Sequence, residues 1–247
     1  RAPLSRAEFE KKYGASQTDV DKIVAFAAAH GLTVEDASLS RRSVILTGPL
    51  HAACSAFGAQ VRAFRGPRGI FRGRTGTLSL PSELSGIIEG VFGFDQRPQA
   101  RTHHRIRPAA ARDVSYTPVE IASAYSFPKG VDGAGQTIGI IELGGGFEAS
   151  DLNSYFSSLG ITTPPVVTAV SVDGAQNQPT GDPNGPDTEV ALDIEVAGAV
   201  APGATIVVYF APNTDAGFLD AINQAAMDNQ RKPSVISISW GGPEDAD

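Results

Sequence analysis

Cysteine and long apolar runs are both scarce in this 247-residue sequence. Its single cysteine, Cys54, excludes an internal disulfide. No apolar run reaches the roughly 18 residues that a bilayer requires, so we expect no membrane-spanning helix. Hydrophobic residues make up 41% of the chain, which is enough to bury a sizeable core. The length fits one large domain or two smaller ones.

Basic residues are scarce in the second half of the chain. Residues 1–112 hold 17 basic and 9 acidic side chains, a net charge of +8, whereas residues 113–247 hold 3 and 18, a net charge of −15. One interpretation is a nucleic-acid-binding arm. The basic residues are, however, spread through a patterned segment and do not form a tract with stacking aromatics, so we expect no nucleic-acid partner. A simpler explanation is that the basic part docks on the acidic part of its own chain.

Residues 1–96 have the pattern of a small α+β domain. Ser5 and Glu8 form a capping box at a first helix, and Thr18 opens a second helix that Gly31 ends. Short strands and helices then alternate, with strands at 32–34, 43–47, 61–64, 70–72, 77–80 and 91–94, and helices at 50–57 and 82–89. This order predicts a ferredoxin-like fold, in which helices cover one face of an antiparallel sheet.

A linker follows at residues 97–112, where the apolar periodicity is lost and basic residues, small residues and prolines dominate. We expect this linker to be solvated and accessible to proteases, with a processing region at His104, Arg105, Arg107 and Arg112. His103 and His104 are adjacent, but no cysteine or further histidine lies nearby to complete a metal site.

Residues 113–247 change to an α/β pattern. A capping box at Thr117 and Glu120, with Pro118 in the first helical position, opens a helix. Four apolar strands then alternate with helices, the strands at 136–143, 166–172, 205–210 and 234–239 and the helices at 148–159, 185–200 and 214–227. Apolar strands that alternate with helices of this length predict a parallel sheet covered on both faces.

The helix at 185–200 is mostly apolar but carries two acids one turn apart. Glu189 and Asp193 lie on one face, and the same row continues through Val196, Ala197 and Val200. The two acids therefore extend an apolar stripe, which predicts that they point inward. Two carboxyl groups that share a low-dielectric site cannot both ionise easily, so one of them retains a proton and can act as an acid or a base.

Two further residues lie where a site would form. In open parallel sheets, sites lie beyond the carboxyl ends of the strands. Glu142 ends the first predicted strand and Trp240 ends the last. We therefore expect three carboxyl groups and an indole N–H to converge. Such a site would be most useful in acid, because a histidine base would be charged there, whereas a carboxylate still accepts a proton.

A dinucleotide-binding protein is the competing interpretation. The segment from Gly144 through Gly146 to Ala149 fits G-x-G-x-x-A between a strand and a helix. Glu142 would repel a pyrophosphate at this position, and Glu148 at the helix start would occupy the anion site. This class remains an alternative.

Three segments of the chain resemble the sedolisins, or serine-carboxyl peptidases. They are residues 181–195, which begin Gly-Asp-Pro-Asn-Gly-Pro-Asp, the Ala-Pro-Gly-Ala of 201–204, and the Ser-Ile-Ser-Trp-Gly-Gly-Pro-Glu of 237–244. The resemblance covers essentially the whole chain, including a pro-segment. It implies a subtilisin-like fold and an acid-acting endopeptidase that cleaves proteins or peptides, is made as a zymogen and is exported.

The resemblance also implies roles for particular residues. Glu189 matches the general base for the nucleophilic serine, and Asp193 matches the carboxylate that orients this base. Glu142 and Trp240 match positions that extend the hydrogen-bond chain. The backbone edge on which substrate pairs as an added strand matches Ser239, Trp240, Gly241 and Gly242.

Two motifs of the family do not occur in the sequence. These are the Gly-Thr-Ser segment of the nucleophile and the Gly-Asp-Ser-Gly-like segment of the oxyanion aspartate. The resemblance implies that both residues, and the ligands of a calcium ion, belong to a C-terminal half, which could be a separate chain. We therefore do not expect this chain alone to hydrolyse peptides. A non-catalytic inhibitor or chaperone module is a second alternative.

The charge split predicts an association that depends on pH. Lowering the pH from 7 to 4 protonates carboxylates of the acidic part, so the affinity of the basic pro-segment should fall and the linker should become open to self-cleavage. The affinity of a separate pro-segment for the remaining protein, measured across this pH range, checks the expectation. An affinity that stays constant or increases in acid would contradict it.

Overall fold

The computed structural model describes residues 4–66, 69–103, 115–182 and 184–242. Contacts divide the chain into two units. Unit 1 comprises Arg1–Arg97 with Thr214–Ala216, and unit 2 comprises Pro98–Asn213 with Gly217–Asp247. Within the described ranges, no helix combines the length and the apolar character that crossing a bilayer requires.

Unit 1 contains helices and antiparallel strand pairs. The helices are α1 (Arg6–Tyr13), α2 (Gln17–Ala29) and α3 (Leu50–Phe57), and the strands are β1 (Thr33–Ser38), β2 (Ser43–Thr47), β3 (Gln60–Gly66) and β4 (Gly69–Thr75). Strand β1 pairs with β2 and β3 pairs with β4, both antiparallel. The predicted antiparallel pairing is confirmed, in two separate two-stranded sheets. The core of unit 1 consists of Phe26, Ala27, Leu32, Ala56, Phe57, Leu84 and Phe94.

Several local predictions for unit 1 differ from the structure. The Ser5–Glu8 capping box is present, but α2 is capped by Ser16 and not by Thr18. The strands predicted at 77–80 and 91–94 do not form, and the helix predicted at 82–89 is a single 3₁₀ turn, Ser82–Leu84. Glycines with positive φ interrupt this stretch. Leu84 and Phe94 are nevertheless buried, so the apolar pattern there indicated burial in the core and not strand pairing.

Unit 2 is built around a parallel sheet. Its strands are β5 (Arg101–Thr102), β6 (Thr137–Glu142), β7 (Val166–Ser171), β8 (Thr205–Phe210), β9 (Val235–Ile238) and β10 (Trp240–Gly241). The helices are α4 (Pro118–Ala124), α5 (Ala149–Ser158), α6 (Asp187–Val200) and α7 (Asp215–Met227), the last of which begins in unit 1. Strands β6 to β9 form a parallel sheet in the order β7-β8-β6-β9. The predicted parallel sheet is confirmed.

Helices cover both faces of the parallel sheet, as predicted. On one face, alternate strand residues such as Ile140 pack with Phe156 of α5 and Ile194 of α6. On the other face, the intervening residues, such as Ile141, pack with Ala221 of α7. This alternation follows from the period of two in a strand. Because Glu142 continues the row of Ile140, its side chain is directed to the face that α6 covers.

The crossover through α6 has the less common hand. The chain moves through α5 in one direction along the sheet and returns through α6 on the same face, so these two crossovers have opposite hands. The crossover through α7 runs in the direction of the α6 crossover but on the opposite face, so its hand agrees with that of α5. Since right-handed crossovers are nearly universal, α6 is the left-handed exception.

Close packing at Gly198 of α6 gives a stability prediction. A Cβ atom there would lie 2.6 Å from Phe156 Cζ and 2.8 Å from Pro165 Cγ. Replacing a helix glycine by alanine usually gains about 1 kcal/mol, but overpacking costs about 1–3 kcal/mol. We expect Gly198→Ala to lower the free energy of unfolding in urea. Val196→Ala, on the exposed side of α6, is the control and should change it by less than about 0.5 kcal/mol. A stabilised Gly198→Ala protein would contradict this packing.

Candidate active site

The centre of the candidate site is the carboxyl group of Glu142, which is completely buried at the carboxyl end of β6. Trp240 Nε1 donates a hydrogen bond of 2.7 Å to Glu142 Oε2. Trp240 begins β10 and does not end β9, because Ser239 separates these two strands. The structure therefore brings together the two residues that the sequence placed at the ends of the first and last strands.

Helix α6 contributes the two acids of the sequence prediction. Glu189 is 4% exposed, and Asp193 Oδ1 accepts a hydrogen bond of 2.8 Å from Ser239 Oγ. The predicted continuation of their stripe is wrong at Val196, which is 42% exposed. The buried face of α6 instead follows the row of Val190, Ile194 and Gly198, which packs on α5 and the sheet.

The carboxyl groups of the site influence one another. The pKa of Glu142 is raised to about 9, chiefly by burial and also by the charges of Asp193 and Glu189, while the hydrogen bond from Trp240 acts in the opposite direction. Burial also raises the pKa of Asp193; the bond from Ser239 opposes this shift, and the charge of Glu189 adds to it. Glu142 therefore holds a proton at neutral pH, which avoids the cost of a buried charge.

Two oxygen atoms of the site have no hydrogen-bond partner among the described residues. They are Glu142 Oε1 and Asp193 Oδ2, both buried. A buried oxygen without a partner costs about 1–3 kcal/mol. A protonated carboxyl can donate a hydrogen bond and an ionised one can accept a proton. The cluster can therefore move or hold a proton for a group that enters the site.

Asp187 fixes the start of α6 against two loops. Its Oδ1 accepts from the N–H of Gly146 at 3.0 Å, and its Oδ2 accepts from the N–H groups of Thr180 at 2.7 Å and Gly181 at 2.8 Å. Gly145 has φ +73°, and a Cβ there would lie 2.8 Å from Asp187 Oδ1. This role could not be predicted from the sequence, because an aspartate in the first turn of a helix is common.

The same contacts argue against a dinucleotide site. The N–H of Gly146 is bonded to Asp187, and the N–H of Phe147 donates to Asn177 Oδ1 at 2.7 Å. A pyrophosphate would need such N–H groups at the start of α5. Protein oxygens occupy them, so the G-x-G-x-x-A pattern here reflects the close approach of the glycine loop to α6.

The backbone edge after β9 pairs with a segment of the same chain. Strand β5 is antiparallel to β10, with Thr102 opposite Trp240 and Arg101 opposite Gly241. Ala100, just before β5, is only 8% exposed. The described part of the linker is thus mostly exposed, as expected, but backbone pairing and the burial of Ala100 hold it in place. The predicted processing residues His104, Arg105, Arg107 and Arg112 lie outside the described residues.

A cavity of about 580 Å³ opens beyond the carboxyl ends of β6 and β8. Its lining includes Leu143, Gly144, Gln178, Ala211 and Pro212. A Cβ on Gly144 would lie 4.0 Å from the outer edge of the Trp240 indole. The cavity is therefore close to the indole that binds Glu142.

Comparison with known proteins supports the interpretation of these motifs. Residues 1–97 match the family described as Pro-kumamolisin, activation domain. Over 256 aligned positions, the whole chain is 53% identical to kumamolisin of Bacillus sp. (strain MN-32), of which it covers 46%. The resemblance to the sedolisin family is confirmed.

More distant sedolisin relatives align over nearly the same region. Tripeptidyl-peptidase sed5 of Aspergillus fumigatus is 28% identical over 96% of this chain and 46% of its own length. Sedolisin of Pseudomonas sp. (strain 101) is 23% identical over 96% of this chain and 42% of its own length. The chain therefore spans less than half the length of these relatives.

The residues that the sedolisin resemblance singled out are close together in unit 2. The structure joins Glu142 to Trp240 and Asp193 to Ser239, and it places Glu189 within electrostatic range of both acids. Sequence reasoning missed Asn213, whose side chain bonds to the backbone of residues 99 and 100. A single asparagine after a strand belongs to no motif. Only its position beyond the carboxyl end of β8 indicated that it could belong to a site.

The raised pKa of Glu142 predicts that stability falls as the pH rises. An unfolded chain releases this proton near pH 4.5, whereas the folded chain holds it to about pH 9. The stabilising contribution is thus complete below the lower value and is lost progressively toward the upper one. Glu142→Gln keeps an oxygen for Trp240 without titrating. We expect its free energy of unfolding to match that of the wild type near pH 4 and to exceed it at pH 8.

Urea unfolding at a series of pH values measures this difference. Glu148→Gln, at an exposed position of the same unit, is the control and should follow the wild type throughout. Parallel wild-type and Glu142→Gln curves would show that the folded protein does not retain this proton.

Proposed function

We propose that this chain belongs to the precursor of an acid-acting serine-carboxyl endopeptidase. The observation that carries the proposal is the buried cluster in which Glu142 binds Trp240 and Asp193 binds Ser239 beside Glu189, in a chain related to sedolisins. Perturbed carboxyl groups beyond the ends of parallel strands are typical of catalytic sites. The proposed substrates are proteins or peptides.

The proposed reaction proceeds through an acyl-enzyme. Glu189 takes the proton of a serine hydroxyl as the serine oxygen attacks the substrate carbonyl, and it returns the proton to the leaving amine. Water then attacks the carbonyl carbon of the acyl-enzyme. Glu189 takes a proton from the water and gives it to the serine oxygen, which releases the carboxylic acid product. Asp193 orients Glu189, as the third member of a triad orients its base. The serine and the oxyanion aspartate are proposed to lie outside this chain, in a C-terminal half.

In the proposed mechanism, Glu142 keeps the site suited to acid. Because its pKa is raised to about 9, Glu142 is neutral throughout the acid range and adds no negative charge to the site. Glu189 is the proposed base beside this neutral neighbour. A histidine in the place of Glu189 would be charged in acid and could not accept a proton.

The precursor state is part of the proposal. Residues 1–97 match an activation domain, and we propose that they dock on the acidic part of the chain and that the following linker is cut to release the enzyme. The proposed enzyme is secreted. Calcium is proposed by resemblance alone, because no group of three or more His, Cys, Asp or Glu side chains in the described part of the chain could hold a metal ion.

Substitutions in the full-length protein test these roles. We expect Glu189→Ala and Asp193→Ala to lower kcat for peptide hydrolysis in acid by about 10³-fold or more, while the melting temperature changes little. The control is Glu195→Gln on the same helix, which should retain activity within about twofold because this side chain faces Asp151 and Tyr155.

Ser239→Ala separates two chemical roles of serine. Ser239 contacts Asp193, so a nucleophilic Ser239 would make this variant inactive and unable to form an acyl-enzyme. We expect instead that Ser239→Ala still forms the acyl-enzyme, with a reduced kcat for peptide hydrolysis. Wild-type activity in Glu189→Ala or Asp193→Ala would contradict the proposed function.

A further inference from the structure

Asn213 holds the backbone of the segment before β5 through three hydrogen bonds. Its Oδ1 accepts from the N–H groups of Gln99 at 2.9 Å and Ala100 at 3.0 Å, and its Nδ2 donates to the carbonyl oxygen of Ala100 at 2.8 Å. The carboxamide thus pairs with both the N–H and the C=O of Ala100. A neighbouring strand makes the same two bonds at a hydrogen-bonded position of an antiparallel ladder.

The opposite edge of this segment is bound by β10. The N–H and C=O groups of successive residues in an extended chain point to opposite edges, so those of Ala100 face Asn213 and those of Arg101 face β10, where Arg101 lies opposite Gly241. A peptide in this position is therefore held as a middle strand, with a carboxamide on one edge and β10 on the other.

The register relates Asn213 to the carboxyl cluster. Continuing the β5–β10 pairing places His103 opposite Ser239, whose hydroxyl is bonded to Asp193. Ala100 precedes His103 by three residues. Ser239 is bonded to Asp193, which is proposed to orient the base Glu189, so we take the cleaved bond to follow the residue opposite Ser239. If a substrate follows the same path, the residue in the place of Ala100 is then the fourth before that bond.

We propose that Asn213 is a substrate-binding residue that holds the backbone of the fourth residue before the cleaved bond. This inference rests on the proposed function. All three bonds reach main-chain atoms, so they are available to every residue type except proline, which has no N–H. The Ala100 side chain is buried in the same apolar cluster as Leu143, Ala211 and Trp240. The carboxamide therefore sets the path of the peptide, while this cluster receives its side chain.

Peptides of two lengths test the proposal with the activated full-length protein. One has five residues before the cleaved bond, and the other has three and a free amino end, which stops short of Asn213. We expect Asn213→Ala to lower kcat/KM for the long peptide by about tenfold or more, mainly through KM, because three hydrogen bonds to the peptide main chain are lost. The short peptide should be cleaved equally by both proteins.

A change in the substrate gives the matched control. A methyl group on the backbone nitrogen of the fourth residue removes the same N–H bond without altering the protein. It should weaken cleavage by the wild type and have little further effect on Asn213→Ala. Asn213→Asp keeps the shape and the acceptor oxygens but loses the donor, so its kcat/KM for the long peptide should lie between those of the wild type and Asn213→Ala. This variant replaces Asn213→Ala in the test if Asn213→Ala does not fold.

Peptide binding to Glu189→Gln protein separates this inference from the proposed function. If the wild type cleaves no peptide, the proposed function fails, but a lower affinity for the long peptide in Glu189→Gln/Asn213→Ala than in Glu189→Gln still supports the binding role. Equal affinities for the long peptide would overturn the inference. Equal losses of cleavage for long and short peptides would also overturn it, because they would indicate a structural role.

Discussion

The hydrogen bond between Trp240 and Glu142 connects parts of unit 2 that are 98 residues apart. It joins the end of a central strand to the segment that carries both Ser239 and the edge strand β10. A buried carboxyl group is costly unless it is neutral or well bonded, and Glu142 meets both conditions through its raised pKa and its indole partner. The position of the β10 edge relative to the acids of α6 therefore depends on this contact.

The acidic groups around Glu142 impose a cost that the proposed function explains. Apolar residues in place of Glu189 and Asp193 would make the protein more stable, because Val190 and Ile194 form the buried row of the same helix. Retaining them requires the rigid placement that α6 receives from Asp187 at one end and from the contact of Gly198 with Phe156 farther along. Sites that hold perturbed carboxyl groups commonly exchange stability for reactivity in this way.

The edge of β10 accepts a strand from its own chain by main-chain pairing. Such pairing is independent of side chains, so the same edge suits a linker and many unrelated peptides. The pairing of Arg101 and Thr102 with this edge and the bonds from Asn213 to Ala100 keep it covered. Covering an edge strand also protects it from unwanted pairing with other chains.

Most of the architecture of unit 2 could be read from the sequence. Strong periodicity located each strand of the parallel sheet within about two residues, and the order of apolar strands and helices determined the fold class. The acids of α6 and the residues at the strand ends were also visible, because polar groups at such positions are unusual. In unit 1, the same method predicted strands at 77–80 and 91–94 and a helix at 82–89 that do not form. Leu84 and Phe94 are buried in the core there, since short apolar patterns arise from core burial as well as from regular elements.

Local periodicity and residue chemistry were enough to predict the elements of unit 2, the class of its sheet and the candidate acids. The face of the sheet that α6 covers could not be predicted in this way, because a left-handed crossover breaks the usual rule. The same holds for two hydrogen-bonded pairs. Glu142 and Trp240 are separated by 98 positions in the sequence, and Ala100 and Asn213 by 113 positions. Such pairings arise from packing, and no local pattern records them.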